Sequence, residues 1–401
     1  MEKKATGRVH YSVPFFAAYF FYYAGYCVFS SFIVLYLTQR GYSATLCGLI
    51  TSLTLVANLL MEPVGGYITD TFLTTRRYLM TCIAVITGLC LFCTRFSGDP
   101  FLCIPALIVT AGVAYPFSQL MDAWVNCSRE LDSELIYSRI RAGGSIGFAV
   151  MSVVAGYYFR SFGWEHYFLV QALLFLMMLP FLVRLPRIGL GNQRKQAEKG
   201  RWLSLAGSFR VVAQNRGYLL CLLICTVYWF SHRPVGSYLA LIVEARDGDP
   251  STYGNVCGIG AAVEFLGLLF LAGWQKKGRL SLPACMTAAL VTDILRPLCI
   301  CLLPGIWPVY LGQVAQSVSF ACFYSASVEC FAKTADRRIR SFCISMGLTA
   351  SSVVGTISAN LLGGWLCDLL GTYALIYLSL AASIGNCMLF GLGFHSAFSH
   401  K

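Results

Sequence analysis

Asp122 lies inside the apolar run 101–126; nineteen residues later Arg141 opens the next apolar run, and Phe148 follows it. A carboxylate accepts hydrogen bonds and exchanges protons, a guanidinium donates through a planar fork, and an aromatic ring offers a stacking face. A charge near the middle of a bilayer costs about 3 kcal/mol or more, so such residues turn to a partner or to a watery cavity. Arg141 suits a carboxylate, Asp122 with Arg141 suits hydroxyls, and Phe148 serves a sugar face and an aromatic ring alike. The chemistry is therefore capture of a small solute.

Further ionisable residues in apolar runs are Glu62, Arg233, Glu264, Asp293, Arg296 and Glu329. Asp293 and Arg296 stand at i and i+3, where a helix lets them neutralise each other. Glu329 lies near the end of its run, within reach of headgroups. His232 and Arg233 precede Pro234, which predicts a broken helix beside a cavity and makes His232 a candidate substrate contact. A carboxyl kept from water has its pKa raised towards neutrality, where it can load and release a proton. Glu264 and Asp122 lead that role, with Glu62, Asp293 and Glu329 behind them.

These residues need elements that hold them in hydrocarbon. Hydrophobic residues make up 57% of the chain and charged ones 12%, against about 25% charged in a soluble domain. With a mean hydropathy of +0.66, the chain reads as an all-α, multi-pass membrane protein. About 20 apolar residues cross a bilayer as a helix. Runs of that order lie at 13–38, 43–69, 78–94, 101–126, 142–160 and 166–183, then at 218–243, 253–274, 282–303, 307–332, 341–366 and 373–395. Of thirty Lys and Arg residues, Arg40, Arg95, Arg160 and Arg246 fall in loops on one side and Arg233 and Arg296 within runs, while the others share the opposite side. That asymmetry predicts cytoplasmic N and C termini.

The region Met1–His10 is basic, but no small-residue cleavage site follows the first run, which therefore reads as a retained span. The net charge of +12 belongs to this topology and implies no nucleic-acid partner. Eighteen cysteines lie almost entirely in apolar runs, where cysteine behaves as a small hydrophobe. Cys90-Leu-Phe-Cys93 has redox spacing but sits in the middle of a span. There is no clustered set of metal ligands and no nucleophile–base constellation, so no metal, no cofactor and no enzymatic activity are expected.

The basic segment 184–217, with Arg184, Arg187, Arg194, Lys195, Lys199 and Arg201, divides residues 1–183 from residues 218–401 and reads as a solvated connector facing lipid headgroups. Gly147, Gly156 and Gly163 recur at a shift of 208 as Gly355, Gly364 and Gly371, and Ala142 matches Ala350. Gly65 maps to Gly273, just before the basic loop Lys276–Arg279. Glycines at one offset predict a parallel six-plus-six duplication around a midplane cavity.

Gly66-Tyr-Ile-Thr-Asp70, followed by Arg76-Arg77, resembles the signature loop between the second and third spans of the major facilitator superfamily, with Thr71 where that loop has a basic residue. By that resemblance Asp70 tethers a neighbouring helix and Arg76 and Arg77 hold a gate. Gly364-Trp-Leu-Cys-Asp368-Leu-Leu-Gly371 repeats the spacing at the other side and reads as a helix-ending turn.

Met121-Asp-Ala-Trp124, then Tyr137-Ser-Arg-Ile-Arg141-Ala-Gly-Gly144-Ser-Ile-Gly147-Phe148, resembles the lactose permease branch of that superfamily, and Tyr19-Phe-Phe-Tyr-Tyr-Ala-Gly25-Tyr26 resembles its aromatic opening helix. The resemblance implies that Asp122 and Arg141 bind substrate, that Phe148 stacks on it, and that Glu264 in Val263-Glu264-Phe-Leu contacts it; Tyr26 and His232 complete the candidate set. It places Arg296 near the proton site, giving Glu264, Asp122, Asp293 and Arg296 as proton-coupling candidates. The histidine and glutamate that the branch's sugar symporters carry on the tenth span correspond here to Gln316 and Ser319.

The implied protein is a monomeric secondary transporter with twelve transmembrane helices in a bacterial cytoplasmic membrane. It would import a saccharide or nucleoside with a proton by alternating access, its other partners being membrane lipids. An aromatic-acid permease, an exporter of amphipathic compounds and a non-transporting receptor on the same fold are the alternatives.

Overall fold

The computed structural model describes residues 10–129, 131, 132, 134–187, 213–276, 281–335 and 340–398. Most of the basic connector, including Arg194, Lys195, Lys199 and Arg201, and most of the basic loop after Lys276 lie outside them. Among the described residues every regular element is an α-helix: α1 Ser12–Gln39, α2 Ala44–Thr71, α3 Thr75–Arg95, α4 Pro100–Ala114, α5 Phe117–Ser128, α6 Tyr137–Phe162, α7 Tyr167–Leu182, α8 Arg216–Ser237, α9 Leu239–Glu244, α10 Pro250–Lys276, α11 Leu282–Leu302, α12 Trp307–Thr334, α13 Arg340–Leu370 and α14 Tyr373–Phe398. A backbone in hydrocarbon has no water to bond, so it must satisfy itself within each segment, and the helix does that.

Polar residues mark where helices begin. Thr74, Asp99, Asn215 and Ser281 accept from the backbone amides of Arg77, Phe101, Tyr218 and Ala284, filling donors that a helix start leaves open. Gly163 and Gly371 end α6 and α13 at φ +71 and +85, a left-handed backbone that side chains with a Cβ resist. Among the described residues nine helices, with α4 and α5 taken together, are long and apolar enough to cross a membrane. The other three expected spans correspond to α7, a shorter apolar helix of 16 residues, and to α10 and α12, which have the length but fall outside that set of nine.

Two prolines depart from the sequence reading. The run 101–126 is interrupted at Tyr115–Pro116, where Pro116 has no amide to continue the ladder, and the Tyr22 hydroxyl donates to the Tyr115 carbonyl at 3.1 Å. At Pro234, where a break was expected, the break falls a little later: α8 continues to Ser237, and Tyr238 separates it from α9. Two carbonyls just before the proline are also bonded from outside the helix: Ser379 Oγ donates to Ser231 O at 2.6 Å and Arg296 Nη1 to His232 O at 3.2 Å. Such partners help a membrane helix to carry a proline.

Contacts divide the chain into two compact units: Met1–Ser30, Thr54–Ser152 and Phe162–Gly200 form unit 1, and Ser31–Leu53, Val153–Ser161 and Arg201–Lys401 form unit 2. In unit 1, Trp124 meets Phe15 edge-on at 5.5 Å and donates to the Pro186 carbonyl at 3.2 Å, while Tyr22, Phe117 and Phe175 pack ring against ring. In unit 2 the core joins Tyr218, Ile224, Tyr228, Met286, Leu290, Phe323 and Phe331.

The repeated glycines acquire a reason. A Cβ on Gly147 would strike the Phe20 carbonyl of α1, and one on Gly355 would lie 2.5 Å from the Thr226 carbonyl of α8, so α6 meets α1 and α13 meets α8 backbone to backbone. Cysteine offers a correction: Cys221 and Cys330 form a disulfide across α8 and α12, with their Cα atoms 6.6 Å apart, so these two are not simple hydrophobes. Cys90 and Cys93 are free.

Candidate functional site

In unit 1, Tyr19, Tyr22, Tyr23 and Tyr26 recur at helical spacing along one face of α1. The Tyr19 hydroxyl donates to Asp122 Oδ1 at 2.5 Å, and the Tyr137 hydroxyl faces the same carboxylate. Tyr23 shares a hydrogen bond with Ser118 at 2.9 Å. The Arg141 guanidinium lies over the Tyr23 ring at 4.2 Å and over the Tyr19 ring at 6.0 Å. That approach needs Gly144, since a Cβ there would crowd both the Tyr23 ring and Arg141 Nη1.

Asp122 and Arg141 thus flank one tyrosine face. Among the described residues no ion pair joins them within 4.0 Å. Both are half-buried. The break after α4 sets Asp122 on the separate segment α5. Phe148, further along α6, is tilted against Tyr26 at 6.4 Å, so it joins the same aromatic wall. Arg141, Tyr23 and Tyr26 together present a charged edge and ring faces, which is what a hydroxylated ring requires.

Unit 2 holds a second polar cluster. Asp293 Oδ2 accepts from Ser231 and Ser383, each at 2.7 Å, and His232 Nδ1 lies 2.9 Å from Oδ1. A carboxylate only accepts, so Nδ1 carries the hydrogen. His232 also stacks on Tyr228 at 5.3 Å. Asp293 and Arg296 do not close on each other as their i, i+3 spacing suggests; Arg296 grips the His232 carbonyl instead. His232 is 6% exposed and Asp293 and Arg296 are 2% exposed, so the sequence reading of His232 as a substrate contact gives way to burial beside Asp293.

The Tyr228 hydroxyl bonds Ser319 at 2.9 Å. Trp229 carries the Arg233 guanidinium over its ring at 4.9 Å and meets Phe320 edge-on at 6.1 Å. Glu264 is placed on α10, partly buried, and Glu62 on α2. Glu329 pairs with Lys333 at 2.7 Å one turn on, both half-exposed.

The expected gate residues sit around a short turn. Asp70 is in the last turn of α2, and Arg76 and Arg77 open α3. Arg76 Nη1 points at the Leu185 carbonyl at 3.5 Å. Asp368, read as part of a helix-ending turn, does more than that. Gly371 ends α13, while the Asp368 carboxylate accepts from the backbone amides of Ala44 and Thr45 at 2.8 Å each and from the Thr45 hydroxyl at 2.5 Å.

Also in unit 2, Arg160 pairs with Asp249 at 3.0 Å and donates to Ser251 at 3.2 Å. Burial raises the Asp249 carboxyl, but hydrogen bonds from Ser251 and Thr252, together with Arg160, outweigh it and hold it down at about 2. Gly156 and Gly364, a pair at the repeat shift, lie where a Cβ would strike the Pro250 and Ala44 carbonyls.

Residues 14–378 match the model of a family described as the MFS_1 like family. The chain is 23% identical over 363 residues to the uncharacterized transporter YwbF of Bacillus subtilis (strain 168), covering 89% of this chain and 84% of that protein. It is 26% identical over 252 residues to the maltose permease of Geobacillus stearothermophilus, covering 60% and 56%. The solved structure of the nucleoside transporter NupG superposes with a TM-score of 0.82 at 15% identity, over 98% of this chain and 100% of that one.

Proposed function

We propose that this chain, which belongs to the MFS_1 like family and is a multi-pass membrane transporter, takes up a small polyhydroxylated solute, a saccharide or nucleoside, together with a proton. The observation that carries the reading is the spacing of Asp122 and Arg141 on the tyrosine row of α1. The carboxylate, bonded by Tyr19, and the guanidinium, laid on Tyr23, remain two separate polar groups beside ring surfaces. A carboxylate and a guanidinium placed apart can each bond a hydroxyl, while the rings cover the apolar face of the solute. Two relatives support this class in name: one is a maltose permease and one a nucleoside transporter.

In this reading the solute enters between the helices and binds Asp122 and Arg141. Rocking of one half against the other then exposes it to the second side. Residues 1–183 and 218–401 are the two halves, joined by the basic connector, with both termini in the cytoplasm.

Uptake of labelled maltose, uridine and phenylpropionate into proteoliposomes, with and without an imposed pH gradient, tests it. Gradient-driven accumulation of the sugar or the nucleoside is expected. Accumulation of phenylpropionate alone would replace the reading with a carboxylate carrier, and efflux without uptake would replace it with an exporter.

A further inference from the structure

We propose that the buried His232–Asp293 pair of unit 2 is the proton-binding site of this transporter, distinct from the residues that hold the solute; the inference rests on the symport reading above. The pair is one imidazole and one carboxylate in contact at 2.9 Å, with the carboxylate's other oxygen fixed by Ser231 and Ser383. It is reached from three helices, α8, α11 and α14, and is nearly sealed from solvent.

Charge counting gives the pair its leverage. Asp293 offsets Arg296, so with a neutral imidazole the cluster carries no net charge. The Nδ1 hydrogen is committed to Asp293, and an incoming proton goes to Nε2. The cluster then holds one uncompensated positive charge where water does not reach, a state strongly disfavoured in a dry interior. Protonation is therefore cheap only in a conformation that admits water or brings up an anion. A ligand that prefers one conformation shifts the population towards it. One imidazole on one carboxylate loads one proton per cycle.

The surrounding groups reinforce this dependence. From α8, Tyr228 stacks on His232, Trp229 meets it at 6.3 Å, and Arg233 adds positive charge. Arg296 faces it from α11 and Cys257 from α10 faces Arg296, while Ser383 of α14 holds Asp293. The same cluster grips α8 just before its proline. Arg296 holds the His232 carbonyl and Ser379 the Ser231 carbonyl, two and three residues before Pro234. Recharging the imidazole acts on the groups that hold this part of the backbone, which links the proton to a spanning helix.

The test compares wild type with His232→Gln and Asp293→Asn in proteoliposomes. Solute exchange at equal concentrations, gradient-driven accumulation and solute-induced proton flux are recorded side by side. The expected result is a loss of accumulation and proton flux of tenfold or more in both variants, with exchange persisting in His232→Gln and reporting an intact fold. A solute-free measurement runs alongside: the Trp229-dependent part of the fluorescence, obtained by difference against Trp229→Phe, should change with pH in wild type and not in His232→Gln. Proton flux that survives His232→Gln overturns the inference, as does a Trp229 signal that still titrates in that variant. Wild-type solute flux without proton flux instead defeats the symport reading, a failure that the fluorescence titration separates from this one.

Discussion

In unit 1, Asp122 and Arg141 are half-buried and stand apart on a row of tyrosines. In unit 2, Asp293, His232 and Arg296 are in contact through one another's side chains and backbone and are almost fully enclosed. Both clusters combine an acid, a cation and an aromatic residue, and a glycine packs closely on the helix that carries the aromatic residue, Gly147 of α6 against α1 and Gly355 of α13 against α8. The difference is what remains to be bonded. Separated charges beside ring faces keep hydrogen-bonding capacity for a solute, whereas the enclosed cluster spends most of its own on its members, with Arg296 Nε left without a partner among the described residues.

Four substitutions break or sharpen that contrast, taken from the largest effect to the smallest. Arg141→Lys should lower solute uptake by about a hundredfold or more, since a point charge cannot replace a planar fork stacked on Tyr23. Uptake near the wild-type rate would remove Arg141 from the solute site. Asp293→Leu takes the only carboxylate from the cluster that buries Arg296 and His232, and leaving a buried charge uncompensated costs about 3–5 kcal/mol. Thermal unfolding of the purified protein should fall by several degrees, and an unchanged melting temperature would show the cluster to be hydrated rather than sealed.

Tyr19→Phe removes a hydrogen bond to a charged group, worth about 1.5–3 kcal/mol, so solute affinity measured by calorimetry should weaken roughly tenfold while stability stays close to wild type. A loss of stability without loss of affinity would make Tyr19 a structural partner only. Asp249→Asn should leave the midpoint of the pH–transport profile in place. Its folded-state carboxyl is depressed, so the stabilisation it gives is present above the ordinary carboxylate range and disappears only as pH falls towards about 2. A midpoint that moves between pH 5 and 8 in this variant would locate proton sensing at the Arg160–Asp249 pair instead.

Much of this was visible in the chain, and the gaps have physical causes. Hydropathy gave the helices because it is a property of each segment by itself, and the glycine shift picked out positions such as Gly147 and Gly355 that each meet another helix backbone closely. Asp122 and Arg141 stood out because charge in an apolar run is costly wherever it lies, and Phe148 stood out through the resemblance that places a ring after Arg141. Tyr19 was read only as part of an aromatic helix; its spacing with Tyr22, Tyr23 and Tyr26 was the signal that one face of α1 would meet Asp122. His232 and Asp293 were each noticed, but a bond across 61 residues leaves no local trace, and Arg296 three residues from Asp293 looked like a sufficient partner. Pro116 interrupts a run that hydropathy reads as continuous, and the break expected at Pro234 falls at Tyr238, because where a helix gives way near a proline depends on what its neighbours offer the backbone.

Asp368 carries a consequence for how the protein is made. The two backbone amides at the start of α2 are bonded by a carboxylate that lies 324 and 323 positions further along the chain, while Ser43 gives the Leu46 amide a local bond and also bonds the Asp368 carboxylate. At ribosomal speeds of about 5–20 residues per second, roughly 15–65 seconds separate the emergence of α2 from that of the residue that completes it. The second helix to leave the ribosome is therefore among the last to be finished, and a chain truncated before α13 would insert α2 with its first turn still waiting for a partner.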